Sequence, residues 1–468
     1  MNIQLDNTYK DHKKSSKSNI LAQNHVISIM SKILSLLISI LLSVNCLSQT
    51  HWRIQNENGE ELLLTITIHP ENSTFEAHTR KDALREMAGT FTYMLAKTAG
   101  KLRYPEIVHS EGKITFLGDT TFYNGSFDYL DKSFPLTAKS WKSSFTGILT
   151  DKRNRTHALK GIKESNEQPL RDYSILITNA FAITEKYYWD RNLVKSSDWL
   201  SFKSKVNELK SKISDDYELG ATLFWLSKKL PVAPYEIKKI SPTENDPITE
   251  KIYAAREVKS GIAFLDLSDL PAEKEKMDQL FKDIQKKGFS VMILDARGRK
   301  NLRLISAALL ADHLTTLPAD WGVYLTRKWL DNNSANLKPT EYNQKFKNAA
   351  LPPDANQNLY QESGRYLKPD PATTIFKGKI FVLTDQKTSR IAEALAIWLK
   401  NDKLATIAGQ KSAGMPMLFE GINMDSQYRI TIPTAQFFDK LGNSHFGAGV
   451  EPDIATEEDA LNAVLKRM

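Results

Sequence analysis

The sequence is almost free of cysteine, and this limits its covalent chemistry. Cys46 is the single cysteine among 468 residues, so the chain has no disulfide framework. The nine histidines are scattered, and none has the spacing that a metal site requires. No glycine-rich loop of the phosphate-binding type is present either. We therefore expect no metal and no other cofactor.

Apolar runs long enough to cross a membrane are also missing. The apolar stretch 33–44 holds 12 residues, whereas a spanning helix needs about 20. A stretch of this length fits the core of a secretory signal. We interpret 1–29 as a leader or as sequence before the true start at Met30, and 30–48 as a signal peptide.

Removal of such a signal near Ser48 would leave a periplasmic or secreted protein without a transmembrane span. The alternative is attachment of a lipid to Cys46. Asn45 before it fits a lipid-attachment site poorly, so anchoring is the weaker interpretation.

Charge of one sign is not concentrated anywhere in the expected mature chain. The formal net charge is +8, but the basic residues are spread along the sequence. A basic tract or stripe is typical of nucleic-acid binding. We therefore expect a solvated surface and no nucleic-acid partner.

Three regions differ in their periodicity. Residues 49–165 predict a β-rich accessory domain, with β-branched runs such as 62–68 and a turn at Asn124-Gly125. Residues 166–240 have the apolar spacing of helices and predict a small helical domain. Residues 241–468 alternate strands with helices, which predicts an α/β core.

Four motifs in the α/β core follow one another in a particular order. They are Leu294-Asp295-Ala296-Arg297-Gly298, Ala392-Glu393, the segment 409–414 (GQKSAG), and the segment 449–453 (GVEPD). Together they resemble the tail-specific, or carboxyl-terminal-processing, serine peptidase family, in particular the tricorn-like branch without a PDZ module. The resemblance implies a crotonase-like α/β spiral and a site for a peptide or protein, at or near a free C-terminus.

The resemblance places the family's nucleophile three residues before the helix glutamate. Counting back from Glu393 reaches Arg390, whose guanidinium cannot act as a nucleophile. Ser389 lies one position earlier. We interpret Ser389 as a helix N-cap whose hydroxyl accepts a hydrogen bond from the helix backbone, and retain it as the catalytic candidate if the protein is active.

The positions that would supply the base are also substituted. In one branch the family lysine falls on Met415, and the nearby Lys411 is four residues short. In the other branch a Ser-His pair falls on Ala233 and Pro234. A glutamate of that branch falls on Phe446, and His445 beside it is an alternative base for Ser389.

The oxyanion side departs from the family pattern as well. Glycines normally follow the strand end and let backbone N–H groups approach the substrate. Here Gly298 is followed by Arg299, Asn301 and Leu302, and we expect Leu302 to be a core residue of the next helix. The residues expected to support the cleft itself are retained: Asp295, Arg297, Glu393 and Gly414.

Two functions of different classes follow from these positions. The first is an extracytoplasmic protein that binds a peptide or protein C-terminus and has lost catalysis, with Arg390 attracting the carboxylate. The alternative is an active serine peptidase that uses Ser389. A third hypothesis assigns the main function, such as glycan or envelope binding, to the β-rich domain.

Overall fold

The computed structural model describes residues 48–152, 154–165, 169–231, 235–240, 253–298, 301–318, 320–333, 341–348 and 358–468. The expected leader, and the signal segment up to residue 47, lie outside these ranges. Within them, no helix combines the length and the apolar character needed to cross a membrane.

An eight-stranded antiparallel barrel forms the N-terminal part. Each strand pairs with the next, and β1 closes the barrel by pairing with β8. Every second residue of β7 is buried, as expected where one sheet face covers a core. The strands are β1 Ser48–Asn56, β2 Glu61–His69, β3 Thr74–His78, β4 Val108–Leu117, β5 Thr120–Tyr129, β6 Lys132–Trp141, β7 Ser144–Thr150 and β8 Thr156–Glu164.

The expected turn at Asn124-Gly125 is wrong, because both residues lie inside β5. Gly125 faces Gly112 of β4, and a Cβ added to Gly125 would stand 2.0 Å from the carbonyl oxygen of Glu111. The glycine therefore permits a close approach of two strands, a role that sequence cannot distinguish from a turn.

Two short helices, α1 Ala83–Ala88 and α2 Thr90–Thr98, lie between β3 and β4. Sequence periodicity suggests one helix over 82–97. The break falls at Gly89, whose φ is +79°, a value incompatible with a continuing right-handed helix.

Three helices follow the barrel and pack on strands of the C-terminal core. They are α3 Tyr173–Tyr187, α4 Ser197–Leu209 and α5 Asp216–Leu226. Their apolar faces share one cluster with Tyr428, Ile430 and Ile432. The chain then enters β9 Glu236–Lys239, which pairs with β19 Tyr428–Asp439.

A six-stranded, mainly parallel sheet forms the centre of the C-terminal core, in the order β10-β11-β12-β16-β17-β20. Only β10 is antiparallel to its neighbour. The strands are β10 Arg256–Lys259, β11 Ile262–Asp266, β12 Val291–Asp295, β16 Lys379–Thr384, β17 Thr406–Gly409 and β20 Ile454–Ala455.

A second six-stranded sheet joins β9 and β19 to four further strands: β13 Gly322–Thr326, β14 Lys347–Asn348, β15 Gly364–Leu367 and β18 Met417–Asn423. The helices of the core are α6 Lys274–Lys286, α7 Leu304–Asp312, α8 Arg327–Leu330, α9 Tyr342–Lys345, α10 Arg390–Asn401 and α11 Ala460–Leu465. The fold is thus mixed α/β with a β-rich N-terminal region.

The parallel strands bring four sequence motifs to one edge. In the register of the sheet, Asp295 at the end of β12 lies beside Leu383 of β16, and Thr384 lies beside Gly409 of β17. The loops that follow these strands therefore meet at the carboxyl edge, where open α/β sheets commonly form their sites.

Candidate functional site

The centre of the carboxyl edge is the turn 385–390, called here the α10 turn, which leads from β16 into α10. Arg390, the first residue of α10, has a φ of +64°. Such left-handed values strain residues other than glycine and occur at strand-to-helix turns that mount a nucleophile. The position assigned by counting from Glu393 is therefore also the strained position, and it holds an arginine.

Arg390 is held on both its backbone and its side chain. Its N–H donates to the carbonyl oxygen of Met415 at 2.8 Å, and its guanidinium lies 4.0 Å from the centre of the Phe419 ring. A cation above an aromatic face is a stabilising arrangement. Phe419 was not identified from sequence, since an aromatic residue in a strand has no distinctive spacing.

Ser389 precedes this strained position and is 2% exposed. It occupies the N-cap position of α10, but its hydroxyl makes no capping hydrogen bond. The position predicted from sequence is therefore observed, while the predicted capping interaction is absent. Among the described residues, no hydrogen bond joins its hydroxyl to Lys411 or His445.

Asp385 closes the turn on the side where the family pattern predicts an oxyanion loop. Both of its carboxylate oxygens accept the Gly298 N–H at 3.0 Å, and it also accepts hydrogen bonds from the Lys387 N–H and the Thr388 hydroxyl. The Gly298 N–H of this loop is thus already bound to an internal carboxyl group. Sequence analysis missed Asp385, although an acidic residue directly after a buried strand could have indicated it.

The first described residues that follow Gly298 are Asn301 and Leu302. Leu302 is 6% exposed and belongs to the main core, as expected, but it precedes α7, which begins at Leu304, so its expected place in that helix is wrong. Asn301 is exposed. Arg299 lies outside the described residues.

Glu393 fastens the loop after β17 to the start of α10. Its carboxylate accepts the N–H groups of Gly414 at 2.8 Å and Met415 at 2.7 Å, together with the Ser412 hydroxyl. The side chain is fully buried, and this burial raises its pKa although the three donors oppose the shift. Glu393 is therefore a buried group that holds the start of α10 against the loop after β17, and it does not face the solvent.

A second pair of charges braces the strand end. Arg297 donates to Asp295 at 2.8 Å and to Asp459 before α11 at 2.7 Å. These hydrogen bonds raise the pKa of Arg297 above its already high ordinary value. The guanidinium joins the loop after β12 to α11.

The candidate bases are occupied by other interactions. Lys411 forms an exposed ion pair with Glu451 at 2.6 Å. His445 contacts Asp439 at 2.9 Å. Burial opposes ionisation of Asp439, but its hydrogen bonds to His445 and Asn443 lower its pKa below the ordinary value, so a carboxylate orients this imidazole.

The two family positions that carry apolar residues are packed. Met415 and Phe446 both lie against the apolar cluster of α3–α5, and the Phe446 ring is 5.2 Å from that of Trp189 in an edge-to-face arrangement. Ala233 and Pro234 lie outside the described residues. Within the part of the chain that the structure describes, no group of three His, Cys, Asp or Glu side chains could hold a metal ion.

The motifs and the geometry point to the same family. Residues 261–456 match the model of peptidase family S41. This part of the chain is therefore similar to family S41. The match confirms the family resemblance predicted from the four motifs, and it covers the carboxyl edge described above. None of the curated proteins matches the chain significantly.

Several solved structures resemble the chain at low identity. A lipoprotein from Streptococcus agalactiae is 13% identical, with a TM-score of 0.43 over 65% of this chain and 98% of its own. The photosystem II D1 C-terminal processing protease is 11% identical, with a TM-score of 0.30 over 74% and 71%. The tricorn protease is 10% identical, with a TM-score of 0.34 over 84% and 44%. These values are too low to transfer an activity.

Proposed function

We propose that this S41-like protein binds the C-terminal segment of a peptide or protein outside the cytoplasm and no longer cleaves it. The observation that carries the proposal is Arg390 at the strained first position of α10. Its guanidinium cannot attack a carbonyl, but it suits a carboxylate, with which it can form two parallel hydrogen bonds.

The surroundings of Arg390 support a peptide ligand. Phe419, Met415 and Phe446 pack against one apolar cluster near it. A terminal carboxylate next to an apolar side chain is the chemistry of a peptide C-terminus. We propose that a crotonase-like core carries this site, with a small helical domain beside it and the N-terminal barrel as an accessory domain.

The test compares decapeptides synthesised with a free and with an amidated C-terminus, with binding measured by fluorescence polarisation. Amidation should weaken binding at least about tenfold, since a hydrogen bond to a charged group contributes about 1.5–3 kcal/mol. Arg390→Gln should remove the preference for the free acid. Lys387→Gln, which removes the same charge from an exposed residue of the same turn, should keep it. Equal binding of acid and amide by the wild type would contradict the proposal.

The alternative is an active peptidase with Ser389 as nucleophile. One observation favours it: the Ser389 hydroxyl makes no capping bond. A fluorophosphonate probe that labels the wild type but not Ser389→Ala would establish this activity. We expect no labelling of either, because an activated serine needs a base within hydrogen-bond reach and, among the described residues, neither Lys411 nor His445 accepts a hydrogen bond from the Ser389 hydroxyl.

The proposed location has its own test. Export with signal removal predicts that protein recovered from the periplasm or medium begins near Ser48. An N-terminus at Met1 or Met30 in the mature protein would contradict it.

A further inference from the structure

A cavity of about 620 Å³ lies where the barrel meets the helices and β9. The hairpin of β5 and β6, the end of α2, the exposed face of α5 and β9 all contribute to its walls. None of its lining residues belongs to the carboxyl edge of the parallel sheet. Its volume falls within the range of about 300–1,000 Å³ that is usual for small-molecule sites.

The inner wall of the cavity is apolar. Leu102 and Ile237 are 3% and 6% exposed, and Tyr129 and Trp225 line the cavity beside them. Phe224 at the mouth is 43% exposed. An aromatic and aliphatic wall that is open on one side suits an alkyl chain.

Gly220 has no side chain and therefore leaves space in front of this wall. It lies inside α5, where glycine is less favourable than alanine by about 1 kcal/mol. Close packing does not explain the glycine, because a Cβ at this position would meet only the Tyr129 hydroxyl, at 3.9 Å. The space in front of Gly220 is the cavity itself, so a larger side chain there would enter it.

The mouth of the cavity is positively charged. Lys101, Lys132 and Lys228 line it and are exposed, and none of the three forms an ion pair with another described residue. The Lys228 ammonium lies 4.0 Å from the centre of the Trp225 ring. The cationic head of this lysine is thus held directly above the apolar wall.

The acidic residues of the lining do not neutralise these lysines. Glu236 is paired with a fourth lysine, Lys238, at 3.0 Å. Glu60 accepts a hydrogen bond from Asn56 at 2.8 Å. Glu60 and Asp131 are the remaining acids of the lining, so three ammonium groups face two carboxylates and the mouth keeps a net positive charge.

We propose that this cavity binds an amphiphilic anion, with a single alkyl chain against Trp225 and Gly220 and a carboxylate or phosphate head at the three lysines. The apolar wall would exclude water from the chain. The lysines would select an anionic head over an uncharged one. This site is independent of the C-terminus site proposed above.

Isothermal titration of the full-length protein with dodecanoate, dodecyl phosphate and dodecanol tests the proposal. Dodecanoate and dodecyl phosphate have saturated chains that differ by one methylene group and otherwise differ in the head, so they show whether a carboxylate or a phosphate is preferred. We expect at least one of them to bind more tightly than dodecanol. Dodecanol binding as tightly as both anions, or no binding by either anion, would overturn the proposal.

Paired variants assign the binding to this cavity. Lys228→Gln should weaken binding of the anion about fivefold, as expected for one partly exposed charge, whereas Lys229→Gln, next in sequence but outside the lining, should leave it unchanged. Gly220→Leu should abolish binding, while Gly220→Ala should retain it. Circular dichroism and thermal melting verify that each variant is folded. A folded Gly220→Leu variant that binds like the wild type would overturn the proposal.

Discussion

Helices α5 and α10 begin in different ways, although buried polar groups surround both starts. The start of α5 is capped: the Asp215 carboxylate accepts the Glu218 N–H at 2.8 Å and also the Leu63 N–H of the barrel at 3.1 Å. The start of α10 is uncapped, because the Ser389 hydroxyl makes no such bond and Arg390 has a left-handed backbone.

The difference distinguishes a helix start that holds two parts of the fold together, at α5, from a helix start that lies at the candidate site, at α10. At α5 the N-cap residue Asp215 itself joins the helix to the barrel, so its two hydrogen bonds hold these parts of the fold together. At α10 the connection to the neighbouring loop lies one turn into the helix, at Glu393. This arrangement supports the proposal, made above, of a binding protein whose reactive position is substituted.

Removing the Glu393 carboxylate, which joins the start of α10 to the loop after β17, should have the largest effect on stability. Glu393→Ala would leave the buried Gly414 N–H, the partly buried Met415 N–H and the Ser412 hydroxyl without their acceptor, and we expect a loss of about 3 kcal/mol in the free energy of unfolding. Urea unfolding measures it. Glu451→Ala in the exposed pair with Lys411 is the control and should change stability by less than about 0.5 kcal/mol. A loss below 1 kcal/mol for Glu393→Ala would remove the distinction drawn between the two starts.

The buried Asp215 at the start of α5 should make the free energy of unfolding depend on pH. Burial, together with the charge of Glu218, raises the pKa of Asp215 from 3.8 to about 7. Between these values the folded state holds a proton that the unfolded chain has released, so this group lowers the free energy of unfolding as pH rises.

The asparagine variant isolates this contribution. Asp215→Asn should gain stability relative to the wild type as pH rises from about 4 to 7, as measured by urea unfolding across that window. Asp198→Asn, at the exposed start of α4, serves as the matched control. A difference between Asp215→Asn and wild type that does not change with pH would show that Asp215 does not titrate.

The α10 region was largely predictable from sequence. An apolar strand followed by a helix that contains Glu393 predicted a turn between them. Counting three residues back from Glu393 identified Arg390. The same motif logic indicated the buried position of Leu302. Its success rests on local order, since strand, turn and helix are consecutive.

The contact between α5 and the barrel was not predictable, because its partners are distant in sequence. Asp215 meets Leu63 across 152 residues, and closure of the barrel pairs β1 with β8. The contact of the Phe419 ring with Arg390 was missed for a related reason, since an aromatic residue in a strand has no spacing that predicts such a contact. The capping bond expected of Ser389 failed because the positive φ at Arg390 redirects the first turn.

The left-handed backbone at Arg390 predicts which of two substitutions gives the more stable protein. In an ordinary helix, alanine is more stable than glycine by about 1 kcal/mol. At a left-handed position the order reverses, so Arg390→Gly should be more stable than Arg390→Ala by about 1 kcal/mol. Both variants lose the Phe419 contact equally, and each therefore controls for the other. Alanine as the more stable variant would show that α10 starts in the ordinary way.

The smallest expected change concerns Ser389. Removing a capping hydroxyl typically costs about 1 kcal/mol, but this hydroxyl makes no capping bond, so Ser389→Ala should alter the free energy of unfolding by less than about 0.5 kcal/mol. Thermal and urea unfolding measure it, with Ser196→Ala as control, because the Ser196 hydroxyl does accept the Trp199 N–H at the start of α4. A loss as large as that of the control would make Ser389 a structural cap, and α10 would then begin as α4 and α5 do.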